Sequence, residues 1–465
     1  MSGMTTVEAI PDIVEHLREG FRSGITRDLE SRRVQLKQMR RMIEENEDVL
    51  LDALVADMGK PRIEAYMTEL AFTLTEIDDA VKNLGKWAAP TKVKLPLNFK
   101  PGSARLRPEP LGTVCIIAPW NYPVQLLLAP LIPALAAGNT AVVKPSEVTP
   151  TVADTLADLV PRYLDGRVVS VVTGGVDETT ALLDERFDHI FYTGNGAVGR
   201  IVMAAAAKQL TPVTLELGGK SPTIVADDAN LKVAARRVAW GKFVNAGQTC
   251  IAPDYVLVDE RVEDEFVTEL TSAIHDFYGD EPRDSPDYTR IVNTGHHDRL
   301  MAMLDAGGYD RTVIGGEGDR LERYLAPTIL SGVKPDAAVM NEEIFGPILP
   351  IVPVSDIDEA IRFVNDRDKP LALYAFSEDD RRLERIVEHT SAGGVTLNHV
   401  VLHFGVAGLP FGGVGESGIG SYHAKAGFDR FSHAKPVLNK PTKPDPSLLY
   451  PPYTSFKERI LRRFL

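Results

Sequence analysis

The chain has 465 residues, 44% of them hydrophobic and 25% charged, which are the proportions of an ordinary globular protein with room for about three domain-sized units. Its 51 basic and 65 acidic residues leave a net charge of −14, which argues against a general nucleic-acid or anionic-membrane surface and leaves a local anion site open. Two cysteines exclude a disulfide framework and a cysteine-rich metal site.

Met1 to Glu8 lack a basic start followed by an apolar run, so no secretory signal is read there. No stretch approaches the roughly 18 consecutive apolar residues of a membrane span, and a cytoplasmic protein is expected. Val34 to Met58 shows helical apolar spacing, stopped by Gly59 and Pro61. A second helical run covers Ile63 to Trp87. Pro96 to Pro110 is proline-rich, with Pro101-Gly102-Ser103 as the turn of a hairpin-like arm. From Thr113 the pattern changes. Short β-rich runs at Thr113 to Ile117, Thr140 to Val143, Val168 to Val172 and His189 to Thr193 alternate with helical segments. A second series places strands at Thr223 to Val225, Tyr255 to Val258, Ile348 to Val352 and Leu371 to Phe376. Such alternation predicts α/β architecture with parallel sheets covered by helices on both faces. The seam between the two series falls near Gly218-Gly219, between Glu216 and Cys250. A site using both residues would lie where two domains meet. The terminal run Ser455 to Leu465 reads either as a basic amphipathic helix touching a membrane or partner, or as a solvated or frayed tail.

Cys250 closes the run Phe243-Val244-Asn245-Ala246-Gly247-Gln248-Thr249-Cys250. A thiolate is the best nucleophile among ordinary side chains, and at an unperturbed pKa of about 8.5 some of it is ionised near neutrality. Small and polar neighbours distinguish it from a wrapped, inert thiol, although an isolated cysteine is more often a small buried hydrophobe. The other, Cys115, lies in Val114-Cys115-Ile116-Ile117 and reads as a buried strand residue. Thr193-Gly194-Asn195-Gly196-Ala197-Val198-Gly199 follows an expected strand and opens an expected helix. That is the pattern of a dinucleotide-binding turn, and equally of a plain glycine-rich strand-to-helix turn. Glu216 continues the alternation of Val213 and Leu215 and suits either a general base or a structural charge. Asn121, between Pro119 and Pro123, also suits a turn. Lys144 alone reads as an exposed strand-end lysine.

Together the motifs say more. Val213-Thr214-Leu215-Glu216-Leu217-Gly218-Gly219-Lys220-Ser221-Pro222, followed by Gly247-Gln248-Thr249-Cys250, resembles the two signature segments of the aldehyde dehydrogenase superfamily. Pro119-Trp120-Asn121-Tyr122-Pro123, Lys144-Pro145-Ser146-Glu147, Glu343-Ile344-Phe345-Gly346-Pro347 and Leu409-Pro410-Phe411-Gly412-Gly413 are similar to further blocks of that family, in its order. Ala252-Pro253-Asp254-Tyr255, Ser421-Tyr422-His423, Phe431-Ser432-His433 and Tyr450-Pro451-Pro452-Tyr453 resemble the class 3 branch, which contains fatty- and aromatic-aldehyde enzymes. An ordered set of blocks is far more specific than any one of them.

The resemblance implies two doubly wound αβ domains and a small β oligomerisation arm. The dinucleotide-binding domain is then 1–95 with 111–217, and the catalytic domain 218–402. The arm is 96–110 with 430–440, 403–429 is a return segment near the active site, and 441–465 is the tail. The activity implied is NAD(P)-dependent oxidation of an aldehyde to the acid through a thiohemiacetal and a thioester. Cys250 would be the nucleophile, Asn121 and the Cys250 N–H the oxyanion donors, and Glu216 the base that activates water. Gly194 and Gly199 would let the backbone approach the cofactor, with Lys144 and Glu147 on the adenosine ribose. Glu343 would bind the nicotinamide ribose, with Phe345 packed nearby. A carboxylate at 147 favours NAD by repelling a 2′-phosphate, although class 3 relatives with it also accept NADP. Tyr122, Trp240, Val244 and Thr249 would line an apolar funnel for medium or long aliphatic or aromatic aldehydes. Helical spacing sets Trp240 and Val244 on one face, as in a plain core. No metal is expected, and the arm implies a homodimer. Three competing readings stay open: a CoA-acylating relative, which typically lacks the base; a cofactor-independent cysteine hydrolase using His399 or His403; and a binding protein without catalysis.

Overall fold

The computed structural model describes residues 5–464, so the segment read as lacking a secretory signal and the end of the tail lie partly outside the described residues. The helical run expected over Val34–Met58 is two helices, Leu29–Glu45 and Glu47–Met58. Asn46 leaves helical geometry (φ −126°, ψ 26°), and its side-chain amide donates to the Met42 carbonyl. The second helix stops at Gly59, whose φ of +61° is a left-handed cap that glycine adopts without strain. The run expected over Ile63–Trp87 is also interrupted. A π-helical turn, Tyr66–Ala71, joins the helices Arg62–Ala65 and Phe72–Trp87. Such turns rotate the side chains that follow and mark functional sites; here Glu69 is carried into the interior.

The arm strands come next, β1 (Thr91–Val93) and β2 (Ser103–Pro110). The hairpin therefore begins before Pro96, and Leu97–Phe99 forms a short 3-10 turn inside it. Five strands of one sheet follow: β3 (Thr113–Ile117), β4 (Thr140–Lys144), β5 (Val169–Val171), β6 (His189–Thr193) and β7 (Val213–Glu216). The next series is β8 (Pro222–Val225), β9 (Tyr255–Asp259), β10 (Arg311–Ile314), β11 (Gly318–Asp319), β12 (Tyr324–Leu325), β13 (Thr328–Ser331), β14 (Ile348–Val354), β15 (Ala372–Phe376) and β16 (Gly394–Leu397). The chain then returns. β17 (Gly418–Ile419) pairs antiparallel with β7, and β18 (Ser432–Asn439) pairs antiparallel with β2 along its whole length.

The first sheet runs β17-β7-β6-β3-β4-β5, and the second β10-β13-β14-β9-β8-β15-β16. Apart from β17 and β10, each sheet is parallel. Their strands are apolar on both faces because helices cover both; β3, β4, β6 and β9 are buried throughout. Cys115 is fully buried in β3, and burial pushes its thiol up to about 12. From β3 the chain winds outward through β4 to β5, then crosses back to β6 on the other side of β3. The crevice at their carboxyl ends is therefore a topological switch point, where open α/β sheets bind ligands. The chain leaving those carboxyl ends carries Asn121, Lys144, Gly194 and Glu216, whereas Gly218-Gly219, Cys250, Glu343 and Phe345 precede amino ends of the second sheet. Among the described residues, no helix is long and apolar enough to cross a membrane. The tail forms a helix, Ser455–Phe464, with Phe456 exposed.

Candidate active site

The nucleophile candidate is delivered by a strained turn. The helix Leu231–Phe243 ends, and Asn245 (φ 54°), Ala246 (φ 50°) and Gly247 (φ 73°) follow in left-handed conformation. Only the glycine is at ease there, and the other two persist because their surroundings over-determine them. The Asn245 N–H donates to Glu64 Oε1 at 3.0 Å. Its side-chain amide donates to the carbonyls of Asn121 (2.9 Å) and Gln248 (3.1 Å). Gln248 Nε2 donates to Asn245 O and Arg290 O, both at 3.0 Å, and Gln248 Oε1 accepts from Val292 N at 2.9 Å. A Cβ on Gly247 would come within 2.3 Å of the Gly346 carbonyl. The turn is thus tied to four other chain segments before it presents the free, half-buried Cys250.

Asn121 meets this turn from the first sheet. It is buried, and its Nδ2 donates to the Gln248 carbonyl at 3.0 Å. Its own carbonyl accepts from Lys60 Nζ at 3.2 Å as well as from Asn245. Lys60 and Glu69 form a fully buried ion pair at 2.8 Å. Glu69 Oε2 also accepts the N–H groups of Val124 (2.9 Å) and Gln125 (3.0 Å), at the start of the helix Gln125–Ala137. Lys60 Nζ further lies 4.2 Å from the centre of the Tyr122 ring, a cation–π contact. A buried charge pair is tolerated when its remaining donors and acceptors are satisfied, as they are here, and the result is a fixed backbone at 121–125. The sequence reading missed Lys60 and Glu69. Neither lies in a recognised block, and only the π turn brings Glu69 inward.

Two acids converge on the thiol. Burial, and then the carboxylates of Glu343 and Glu216, push Cys250 well above its ordinary value, opposed by the N–H groups of Cys250 and Ile251. Glu216 ends β7, is buried, and neither carboxylate oxygen has a protein partner. Burial raises it well above the carboxylate range, with Arg430 opposing. Glu343 is pushed up to about 8, by burial first and by Asp254 second. The Gly219 N–H opposes this rise, and a Cβ on Gly218 would fall 1.9 Å from Glu343 Oε2. Glycine at 218 is thus required for close approach. These groups titrate as a coupled set, so an ionised carboxylate and a thiolate oppose one another.

The residues read as cofactor-binding lie along the switch-point crevice. Lys144 is not the exposed strand-end lysine that its position alone suggests. It is 2% exposed, and its Nζ donates to the exposed Glu147 at 3.1 Å and to Pro145 O at 3.3 Å. Gly194 opens the turn after β6, where a Cβ would meet the Tyr192 hydroxyl at 2.2 Å. A Cβ on Gly199 would lie 2.8 Å from the Leu217 side chain, so this glycine also lets the helix pack closely. The helix Gly196–Ala207 is capped by Asn195, and its first N–H groups suit a phosphate. Phe345 has φ +50° and sets its ring edge-on to Trp120, 5.4 Å away. A dinucleotide fits this set: a paired ammonium and carboxylate at one end, a helix N-terminus between, and the buried, unpartnered Glu343 Oε1 at the other.

The four funnel candidates differ in exposure. The Tyr122 hydroxyl and Thr249 Oγ1 are hydrogen-bonded at 2.7 Å, both residues buried. Val244 is buried and caps the helix, its N–H donating to the Trp240 carbonyl, so the two remain one helical turn apart. Trp240 is 37% exposed and sits edge-on to His399. Two tyrosines that the sequence reading gave no role also lie near the thiol. Tyr374 donates its hydroxyl to the Ile251 carbonyl, and Tyr422 is raised well above its ordinary value by burial, with Glu216 and Cys250 adding to it. Tyr422 stood in a recognised block, whereas Tyr374 carried no signal. His403 is engaged elsewhere. Its Nδ1 is 2.9 Å from Thr396 Oγ1, its ring stacks on Phe411, and burial lowers it to about 4.

Comparison with known proteins agrees with this geometry. The model of the aldehyde dehydrogenase family matches residues 3–437. Aldehyde dehydrogenase family 3 member A2 of Mus musculus is 51% identical over 454 residues, covering 97% of this chain and 93% of that protein. The dimeric NADP-preferring aldehyde dehydrogenase of Canis lupus familiaris is 48% identical, covering 95% of this chain and 98% of that protein. The substrate-bound state of Staphylococcus aureus AldH superposes with a TM-score of 0.95 at 45% identity, over 99% of this chain and 100% of that one. The chain belongs to the aldehyde dehydrogenase family, on its class 3 branch.

Proposed function

We propose that this protein oxidises an aldehyde to the carboxylic acid with NAD or NADP, through a thiohemiacetal and then a thioester on Cys250. The observation that carries this reading is the meeting of the Cys250 thiol with the Glu216 and Glu343 carboxylates at the seam of two αβ sheets. Cys250 adds to the carbonyl as thiolate. The Asn121 amide, already aimed at the turn, and the Cys250 N–H take the oxyanion. Lys144 and Glu147 would hold the adenosine ribose of the cofactor, and Glu343 its nicotinamide ribose with Phe345 beside it; when bound there, the cofactor would supply the hydride acceptor. Glu216, whose two oxygens have no protein partner, takes the proton of the water that hydrolyses the thioester. The first sheet is then the dinucleotide-binding unit and the second the catalytic one. Tyr122, Val244 and Thr249, with Tyr374 and Tyr422, give the pocket a largely apolar wall suited to medium or long aliphatic or aromatic aldehydes.

Glu216 speaks against a CoA-acylating enzyme, and the engagement of His403 against a cysteine hydrolase. Purified protein assayed on aliphatic and aromatic aldehydes, with NAD and with NADP, each with and without CoA, tests the reading. Acid formed only in the presence of NAD or NADP, and without a need for CoA, is expected. Acyl-CoA as the product, or ester hydrolysis alone, overturns it.

We infer also that the protein is a homodimer. β1, β2 and β18 form a three-stranded sheet whose residues are mostly exposed, with Leu97, Phe99 and Leu438 in or beside it open to solvent. A sheet with so little local core gains by lying on a second copy. Light scattering at micromolar concentration is expected to give twice the monomer mass. A monomer overturns this role for the arm.

A further inference from the structure

Lys220 follows the Gly218-Gly219 pair, and no role above uses it. Its ammonium is only 12% exposed and pairs with Asp254, itself 5% exposed. It also donates to the carbonyls of Val339 (2.7 Å) and Glu342 (2.9 Å). An ammonium has three donors, and all three are committed, so Lys220 has none left for a ligand. The remaining oxygen of Asp254, Oδ1, accepts the Ile344 N–H at 3.0 Å. One ion pair therefore grips the backbone on both sides of Glu343, at the carbonyl before it and the N–H after it. Arg299 braces the same segment from outside, through the carbonyls of Glu343 (3.4 Å) and Ile344. The Glu343 carboxylate is pressed onto Gly218, two residues before Lys220. A nearly buried ion pair contributes little net stability, because desolvation offsets its attraction. What it does supply here is the position of one side chain.

We propose that the Lys220–Asp254 pair is the positioning device for Glu343 and, through it, for the nicotinamide half of the cofactor. This rests on the reading of Glu343 as a nicotinamide-ribose ligand. Lys220 and Asp254 act through the 339–344 backbone and touch neither cofactor nor substrate.

The test uses Lys220→Met, the double variant Lys220→Met with Asp254→Asn, in which neither partner keeps its charge, and Glu343→Gln. In the enzyme without cofactor, hydrogen exchange at Ile344 should be about tenfold faster or more in both Lys220 variants, with core strands unchanged. NADH binding, read by fluorescence titration, should weaken about tenfold. The pre-steady-state burst should slow by about 10- to 100-fold with C1-deuterated aldehyde slower still, whereas a merely structural fault would lower the active fraction and leave the isotope effect as in wild type. Added to Glu343→Gln, Lys220→Met should change NADH affinity by less than about twofold. A folded double variant with wild-type NADH affinity and burst overturns the proposal, as does a full, additive effect in the Glu343→Gln background. Wild-type NADH affinity in Glu343→Gln itself would remove the ribose reading, and this proposal with it; an impaired Glu343→Gln beside a normal double variant removes this proposal alone.

Discussion

Cys250→Ser is expected to lower NAD-dependent aldehyde oxidation by about four orders of magnitude or more while leaving NADH affinity near wild type. A serine hydroxyl is a far poorer nucleophile at neutral pH than a thiolate, because it is essentially un-ionised there. Glu216 and Glu343 are the neighbouring acids, and both are pushed above the ordinary carboxylate range by burial. The substitution should fold. The turn that carries residue 250 is held through Asn245, Gln248 and Asn121 rather than through the thiol. Single-turnover kinetics with a fluorescence titration of cofactor on the same preparation separate the two effects. Appreciable dehydrogenase turnover by the serine variant overturns the assignment of Cys250.

The elements that were legible from sequence are those buried on both faces. Thr113–Ile117 and His189–Thr193 are strands over the residues expected, because a strand under two helical layers is an unbroken apolar run. β13 and β16 are just as much part of the second sheet but are short, and β16 is only half-buried, so periodicity does not single them out. The three left-handed residues at 245–247 are invisible in the same way. Gly247 hints at positive φ, but Asn245 and Ala246 adopt it because Glu64, Asn121 and Gln248 capture the turn from elsewhere in the chain. The Lys60–Glu69 pair depends on a π turn that no residue in Tyr66–Ala71 announces. Site residues inside recognised blocks were legible; the tertiary supports that hold them were not. The spacing of Trp240 to Val244 was legible too: the helix ends at Phe243, yet the Val244 N–H still donates to the Trp240 carbonyl one turn back.

Glu216→Gln separates base from nucleophile. The variant should keep a burst of reduced cofactor near one equivalent per site, then turn over about 10²- to 10⁴-fold more slowly in the steady state. Thiohemiacetal formation and oxidation need the Cys250 thiolate, and the amide removes one of the two charges that oppose it. Burst formation should therefore begin at a lower pH in the variant than in wild type. Hydrolysis needs an ionised base. Burial raises Glu216 well above its ordinary value of 4.5, so the wild-type steady-state rate should climb with pH well past the carboxylate range, and that limb should vanish in the variant. Stability should move the other way. A carboxyl whose folded pKa lies above its unfolded one favours folding fully at low pH, and that contribution is lost as pH rises from 4.5 through the folded value. Glutamine has no such loss. Relative to wild type, the variant's thermal midpoint should therefore rise as pH rises through that window, the signature of a charge kept in an unfavourable place for its reactivity. Quenched-flow kinetics and calorimetry across pH read both effects. Loss of the burst itself would mean that Glu216 acts before the thioester forms, and a midpoint difference that does not change with pH would mean that its carboxyl does not titrate in the buried state described here.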